Sequence, residues 1–172
     1  MWQQQWRLYE PKQHNDHDQP FRVVIDVNVL VSGIIVPWGD SAFIVRSFKQ
    51  GLFDTITSRQ HLDELYRVLG RRRIRSRYHV TERRRRKIVG RLAQLAEFVQ
   101  PGGTIALCRD PTDDYLIEMA ILGRATHLVT GDEDFHDDPA LLRFLQKRGV
   151  TATRPADFAA LLRQQTIPGD TL

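Results

Sequence analysis

The sequence predicts an α/β protein, built as a three-layer α/β/α sandwich around a mainly parallel central sheet. Short apolar runs rich in β-branched residues alternate along the chain with stretches of helical periodicity. The run that begins at residue 22 is continuously apolar, which is typical of a strand covered on both faces. The chain has 172 residues, of which 41% are hydrophobic, and this is enough for one domain with a sizeable core.

The chain divides into three parts on composition. Residues 1–20 are predicted to be a flexible N-terminal extension, because they are rich in Gln, Asp and His and lack apolar periodicity. Residues 21–165 form the folded domain, and residues 166–172 a C-terminal tail. The single cysteine, Cys108, excludes an internal disulfide framework. Without a membrane-spanning run or a signal peptide, we expect a soluble, cytoplasmic protein.

The first half of the folded domain is predicted to contain two strands and two helices. A buried strand ends at Asp26, and a helix begins at Asp40 or Ser41 and ends at Gly51. A second strand, residues 53–57, precedes Ser58, which is typical of a helix N-cap. The apolar residues of the helix that follows recur at helical spacing: Leu62, Leu65, Tyr66 and Leu69.

The second half continues the alternation of helices and strands. Residues 71–91, the basic segment, are predicted to form two helical pieces with a break near His79. The later elements are a strand at 105–107, a helix from Thr112 or Asp113 to Gly123, a strand at 127–130, a helix at 140–147, an edge strand from Val150 and a helix from Pro155. Right-handed crossovers would join the parallel strands.

Acidic residues follow the predicted strands or lie on the first turns of the helices after them. They are Asp26, Glu64, the group Asp110, Asp113 and Asp114, and Asp132. In a parallel sheet these carboxylates would meet at one edge, where they repel one another unless a cation lies between them. Mg²⁺ and Mn²⁺ prefer such oxygen ligands, and they can activate water and orient a phosphodiester.

Each acid also has a purely structural interpretation. Asp110 and Asp113 are equally consistent with caps or first-turn residues that favour the helix dipole. Glu64 could be a solvated helix residue, with its neighbour Asp63 taking its part in the site. Asn28 could hydrogen-bond the backbone, as Asn often does in loops. The joint pattern therefore carries the prediction, and no single residue does.

The same residues resemble the four motifs of PIN domains. The family's opening motif is similar to DVNVLVSG at residues 26–33, and its second acidic motif to EL at 64–65 with VL at 68–69. The third resembles DPTDDYLIEMA at 110–120, and the fourth TGDEDF at 130–135. The order also matches, over about residues 21–158. The pattern resembles in particular the VapC-like ribonucleases of toxin–antitoxin systems.

That resemblance implies an RNA-cleaving enzyme that depends on Mg²⁺ or Mn²⁺, forms homodimers and has an antitoxin partner. By motif position, the catalytic and metal-binding acids would be Asp26, Glu64, Asp114 and Asp132. Supporting residues would be Asn28, Ser32, Thr130, Asp110 and Asp113.

The basic segment contains ten Arg and one Lys against a single acid, Glu82. Guanidiniums bind phosphates bidentately and stack on unpaired bases, so this segment favours a polyanion such as RNA. The predicted RNA-binding residues are Arg71, Arg72, Arg73, Arg75, Arg83, Arg84, Arg85 and Arg86. A solvated helical surface and a contact with an acidic antitoxin segment are the alternatives.

Three functional hypotheses follow from these patterns. The leading one is a metal-dependent endoribonuclease that uses the acidic residues. The second is a non-catalytic module of the same fold that binds RNA or a partner through the basic segment. The third is a phosphatase of the haloacid dehalogenase type, which is disfavoured because that class needs a second Asp where this chain has Asn28.

Overall fold

A computed structural model, which describes residues 21–166, shows a five-stranded sheet with helices on both faces. The strands are β1 Arg22–Ile25, β2 Asp54–Thr57, β3 Glu97–Phe98, β4 His127–Val129 and β5 Thr151–Thr153. Their order is β3-β2-β1-β4-β5, and every pair is parallel. The predicted fold class is confirmed. The predicted extension and residues 167–172 of the predicted tail lie outside the described residues.

Nine helices connect and cover these strands within the described part of the chain. They are α1 Val27–Ile35, α2 Asp40–Lys49, α3 Arg59–Leu69, α4 Arg72–Tyr78, α5 Glu82–Leu95, α6 Asp114–Leu122, α7 Glu133–His136, α8 Pro139–Gln146 and α9 Pro155–Thr166. No single helix in residues 21–166 is long and apolar enough to cross a membrane, and α1 and α2 reach that length only as a pair bent by 93°.

The sheet separates two apolar cores. Successive side chains of a strand point to opposite faces, so Val23 and Ile25 enter one core and Val24 the other. The first core also contains residues of α1, α2, α3, α5 and α9, and the second contains residues of α6 and α8. Covering on both faces explains why β1 reads as a continuous apolar run.

The direction in which the chain adds strands reverses between β1 and β4. The chain proceeds outward from β1 through β2 to β3, and then returns to place β4 on the other side of β1. The backbone N–H of Asp26 donates to the carbonyl of Val129 at 2.9 Å, so the ends of β1 and β4 are held together. Ligands of open α/β sheets bind at such a switch point.

The predicted strand at 105–107 is wrong, and the third strand along the chain is the short β3, which lies at the edge of the sheet beside β2. The backbone amides of residues 103–105 donate to the carboxylate of Glu118, and those of residues 107 and 108 donate to Asp114. Because two side chains of α6 occupy these donors, they are not available to a strand ladder.

The predicted break in the basic segment is confirmed at His79, which separates α4 from α5. His79 adopts a left-handed conformation with φ of 49°, and its N–H caps α4 by donating to the carbonyl of Arg75. Thr81 then accepts from the N–H of Arg84 and caps α5. His79, Val80 and Thr81 therefore form a short turn between the two helices, with the side chain of Val80 buried in the core.

Gly33, on α1, lies where that helix crosses α2. An added Cβ would collide with the backbone carbonyl of Ser41, which cannot move as a side-chain tip can. Gly33→Ala is therefore expected to destabilise the protein by about 1–3 kcal/mol through overpacking. Chemical unfolding followed by circular dichroism would measure this change.

Gly90, inside α5, is the matched control because an added Cβ there meets no atom within 4 Å. Gly90→Ala is expected to stabilise by about 0.5–1 kcal/mol, since glycine loses the most backbone entropy in a helix. Equal effects of the two substitutions would contradict the close crossing of α1 and α2.

Candidate active site at the carboxyl edge of the sheet

Asp26 follows β1 directly and serves as the N-cap of α1. One of its carboxylate oxygens accepts from the Asn28 N–H at 2.9 Å, and the other accepts from the Thr130 hydroxyl at 2.7 Å. Burial raises the pKa of Asp26, the two hydrogen bonds oppose this rise, and the charges of Glu64 and Asp132 add to it. The side chain is thus buried, firmly oriented and close to other acids.

Thr130 connects Asp26 with the acid that follows β4. Its hydroxyl is fully buried, donates to Asp26 and accepts from the backbone N–H of Asp132 at 3.1 Å. The carboxylate of Asp132 in turn accepts from the Asp134 N–H at 3.0 Å and caps α7. Thr130 was predicted as a supporting residue, and its contacts suit that part.

Glu64 reaches the edge from α3 and is oriented by two side chains that the sequence did not indicate. Tyr115 donates to its Oε2 at 2.6 Å, and Arg67 lies 3.7 Å from its Oε1. Burial, and then Glu64 itself, raises the pKa of Tyr115, so the phenol remains a neutral donor. Tyr115 and Glu64 are 51 positions apart, and no local motif connects them.

Asp113 brings a fourth carboxylate to this edge from the end of a 3-10 turn, Pro111–Asp113. Its pKa is raised to about 6, first by burial and then by the charges of Asp110, Asp26, Asp132 and Glu64. Four acids therefore lie within electrostatic reach of one another. We call this group the acidic cluster: Asp26, Glu64, Asp113 and Asp132.

Asp114, which was predicted as a catalytic and metal-binding acid, makes its recorded contacts with the loop that precedes α6. Its Oδ1 accepts from the backbone N–H groups of Leu107 and Cys108 at 2.9 and 2.7 Å. Glu118, one turn further along α6, accepts from the same loop and is also buried. Asp114 and Glu118 thus hold residues 103–108 against α6, whereas Asp113 is the residue whose pKa is raised by the charges of the other acids.

The remaining predicted supporting residues occupy more peripheral positions. Asp110 is exposed and caps the 3-10 turn by accepting from the N–H and hydroxyl of Thr112, which lowers its pKa. Its charge nevertheless contributes to the raised pKa of Asp113. Asn28 and Ser32 are exposed one turn apart on α1, beyond the cap formed by Asp26.

The acidic cluster has the donor chemistry of a site for a hard divalent cation. Carboxylate oxygens are the preferred ligands of Mg²⁺ and Mn²⁺. The pKa values of Asp26 and Asp113 are raised first by burial and in addition by the charges of the neighbouring acids. Among residues 21–166, no three His, Cys, Asp or Glu side chains stand close enough to form a complete metal-binding group. The residues fit a cation by chemistry and charge, without a closed ligand shell.

The basic segment separates into two parts with different surroundings. In α5, Arg85 and Arg86 pair with Glu82, and Arg85 also stacks on the ring of Tyr66 at 4.3 Å. Arg84 donates to the Tyr78 carbonyl at 3.1 Å. These three arginines, predicted to bind RNA, make contacts within the connection between α4 and α5 and with α3. The α4 arginines and Arg83 are exposed, and none of them pairs with an acid in the described part of the chain.

Comparisons with known proteins bear on the family. A family model described as "PIN domain" matches residues 22–134, which is more than half of the chain and includes all four residues of the acidic cluster. No curated protein and no solved structure gave a match. The matched stretch runs from the start of β1 to the first turn of α7. With the parallel α/β/α architecture described above, this match shows that the chain belongs to the PIN domain family.

Proposed function

We propose that the protein is a metal-dependent endoribonuclease that acts in the cytoplasm as the toxin of a toxin–antitoxin system. The observation that carries the proposal is the convergence of four carboxylates at the switch point of the sheet, with the pKa of Asp113 raised to about 6. Family membership supports nuclease activity in general, since PIN domains are usually nucleases that act on nucleic acid and use divalent metals.

Asp26, Glu64, Asp113 and Asp132 would hold Mg²⁺ or Mn²⁺. A bound ion of this kind supplies a more acidic water and charge stabilisation of a phosphodiester under attack. Thr130 and the Asn28 N–H fix Asp26, and Tyr115 fixes Glu64. Each Asp26 oxygen accepts one of these hydrogen bonds and retains a second lone pair that a cation could use. The side chains are thus oriented before substrate arrives, which lowers the cost of reorganisation.

The proposed antitoxin would dock in an apolar groove between α1, α2, α3 and α5. The groove has a volume of about 390 Å³, with Leu30, Phe48, Leu65 and Ile88 in its lining and with Lys49, Arg84, Lys87 and Arg91 also along it. An amphipathic helix with apolar anchors and acidic flanks is complementary to this surface. A homodimer, as in the toxins that this chain resembles, remains part of the proposal and is testable by light scattering.

A non-catalytic binding module is the alternative of a different class. It would retain RNA affinity through the basic segment and would be indifferent to EDTA. The acids favour the enzyme, because a module that binds RNA gains nothing from four mutually repelling carboxylates at one edge.

The negative charge of the acidic cluster is expected to lower the free energy of unfolding of the metal-free protein, and to do so more at high pH than at low pH. In the folded protein the pKa of Asp113 is about 6, above its ordinary value of 3.8. The protonated side chain therefore contributes to stability at low pH, and this contribution is lost as the pH rises through 6. Asp113→Asn should therefore raise the melting temperature by a few degrees at pH 7.5 in EDTA and leave it unchanged at pH 4. Differential scanning calorimetry measures both values.

Asp138→Asn is the matched control for this measurement, because Asp138 caps α8 outside the cluster and Asn caps as well as Asp. It should not change the melting temperature at pH 7.5. Added Mn²⁺ should then stabilise the wild type more than Asp113→Asn. Equal stabilisation of the wild type and Asp113→Asn by Mn²⁺ would show that Asp113 is not a ligand of the cation.

The cleavage assay separates Asp113 from Asp114. Asp113→Asn should lower kcat/KM for Mn²⁺-dependent cleavage of single-stranded RNA by at least about 100-fold, or about 2.7 kcal/mol, since an amide lacks the charge that holds the ion. Asp114→Asn should retain at least about a tenth of the activity, because the amide oxygen can still accept the two loop N–H groups.

Circular dichroism checks that both variants are folded. An active Asp113→Asn beside an inactive Asp114→Asn would reverse the assignment. Full activity of both variants, or wild-type cleavage that persists in EDTA, would reject the metal-dependent mechanism at this site.

The toxin role predicts a growth phenotype that depends on the groove. Expression in a bacterial host should slow growth, and coexpression of the short reading frame adjoining the gene should restore it. Ile88→Glu, in the groove, should still slow growth, but coexpression of the adjoining reading frame should no longer restore it, because the substitution places a negative charge among apolar side chains. Colony growth on inducing medium measures both effects.

Leu122→Glu is the control, since Leu122 is an exposed apolar residue, with 52% of its surface accessible, and is not part of the groove lining. Expression of Leu122→Glu should slow growth, and coexpression of the adjoining reading frame should restore it. If expression of the wild type does not slow growth, the toxin assignment is contradicted. If coexpression restores the growth of cells that express Ile88→Glu, the docking surface is contradicted.

A further inference from the structure

We propose that the concave surface between α4 and the start of α5 is a phosphate subsite, which holds the RNA strand outside the acidic cluster. This inference deepens the proposed ribonuclease function and rests on it. The proposed subsite divides the arginines of the basic segment into those that contact substrate and those that maintain the fold. The two groups cannot be distinguished from the sequence.

The geometry of the subsite comes from one face of α4 and the turn after it. Its cavity, of about 450 Å³, is open to solvent and lined by Arg72, Arg75, Ser76, His79, Val80 and Thr81. Arg75 and Ser76 follow Arg72 by three and four positions, so they share one helical face with it, and His79 is the C-cap of the same helix. The left-handed His79 turns the chain back, and Thr81 closes the cavity from the other side.

The charge at this surface is uncompensated. Glu82 is the one acid of the basic segment, and it already contacts Tyr66, Arg85 and Arg86. Within the described residues, Arg72 and Arg75 have no carboxylate partner, and both are exposed. Two neighbouring guanidiniums without an acid form a strong site for a phosphate, which both can bind bidentately.

The lining also favours a polymer over a small phosphate ester. The hydroxyls of Ser76 and Thr81 and the ring of His79 can donate to phosphate or sugar oxygens. The cavity is open, and Val80 is its only lining residue with an apolar side chain. An extended strand can therefore pass along it, whereas a small ligand would find little surface to bury.

The subsite lies a short way along the chain from the acidic cluster. Glu64 is on α3, which ends at Leu69 after about 7.5 Å of helix rise, and α4 begins at Arg72. Arg85 packs over Gly70 at this junction, where an added Cβ would collide with its guanidinium. Arg85 of α5 thus contacts the short connection between α3 and α4. In this proposal the RNA strand runs from the edge of the sheet onto α4.

The binding test uses the whole chain carrying Asp113→Asn, in EDTA, so that RNA is bound and not cleaved. Fluorescence anisotropy with a labelled single-stranded 12-mer gives the slope of log Kd against log salt. Arg72→Gln with Arg75→Gln should reduce the magnitude of the slope by about 1.4, at about 0.7 for each phosphate contact in a single strand. Affinity at low salt should fall at least tenfold.

The matched control removes two positive charges elsewhere. Arg143→Gln with Lys147→Gln changes exposed residues at the end of α8, on the opposite face of the sheet. This pair should leave the slope unchanged. An unchanged slope for the Arg72 and Arg75 pair, or an equal loss in the control pair, overturns the subsite and leaves α4 to a protein partner or to solvent.

Cleavage kinetics with Mn²⁺ distinguish this proposal from the proposed function. With otherwise wild-type protein, the Arg72 and Arg75 pair should raise KM for the 12-mer at least tenfold with kcat unchanged, and should not alter cleavage of a trinucleotide. An equal loss on both substrates overturns the subsite. If wild type cleaves neither RNA, the proposed function fails, while the salt slope still decides whether α4 binds phosphate.

Discussion

The hydrogen bond from Thr130 to Asp26 is the interaction on which the rest of the site depends. It joins the ends of β1 and β4, the two strands at which the direction of chain addition reverses. Because the same hydroxyl accepts from the Asp132 N–H, one buried threonine fixes two acids from distant parts of the chain. Without this bridge, two like charges held at adjacent strand ends would be free to turn apart.

The sequence predicts the architecture because its apolar periods, caps and turns agree with one another. β1, the Ser58 cap and the break at His79 are all local features that a pattern can reveal. The strand expected at 105–107 failed for a non-local reason. Its amides are occupied by carboxylates of α6, and a pattern of apolar residues does not indicate where its N–H groups donate.

The acids of the site were predictable by type but not by orientation. Adjacent side chains at a helix start diverge by about 100°, and the 3-10 turn before α6 shifts that phase further. The carboxylate of Asp114 contacts the loop, whereas the charges of Asp26, Asp132 and Glu64 contribute to the raised pKa of Asp113. Likewise, the basic segment is one uniform run of arginines in the sequence. In the structure Glu82 forms ion pairs with arginines of α5, which distinguishes them from the arginines of α4. The sequence did not indicate a role for Tyr115, because its hydrogen-bond partner, Glu64, lies on another helix.

Two acids of the cluster are also helix N-caps, Asp26 for α1 and Asp132 for α7. Asparagine caps a helix about as well as aspartate, so the architecture is nearly indifferent to Asp132→Asn, whereas Asp26→Asn loses one of the two acceptor oxygens that Asn28 and Thr130 use. Natural selection can therefore extinguish catalysis in a duplicated gene by one conservative replacement and still retain a folded product. Descendants of such duplicates would keep their surfaces for nucleic acid or protein, and could be recruited as scaffolds or decoys. Ancestry with this chain would then be a poor guide to whether a relative is an enzyme.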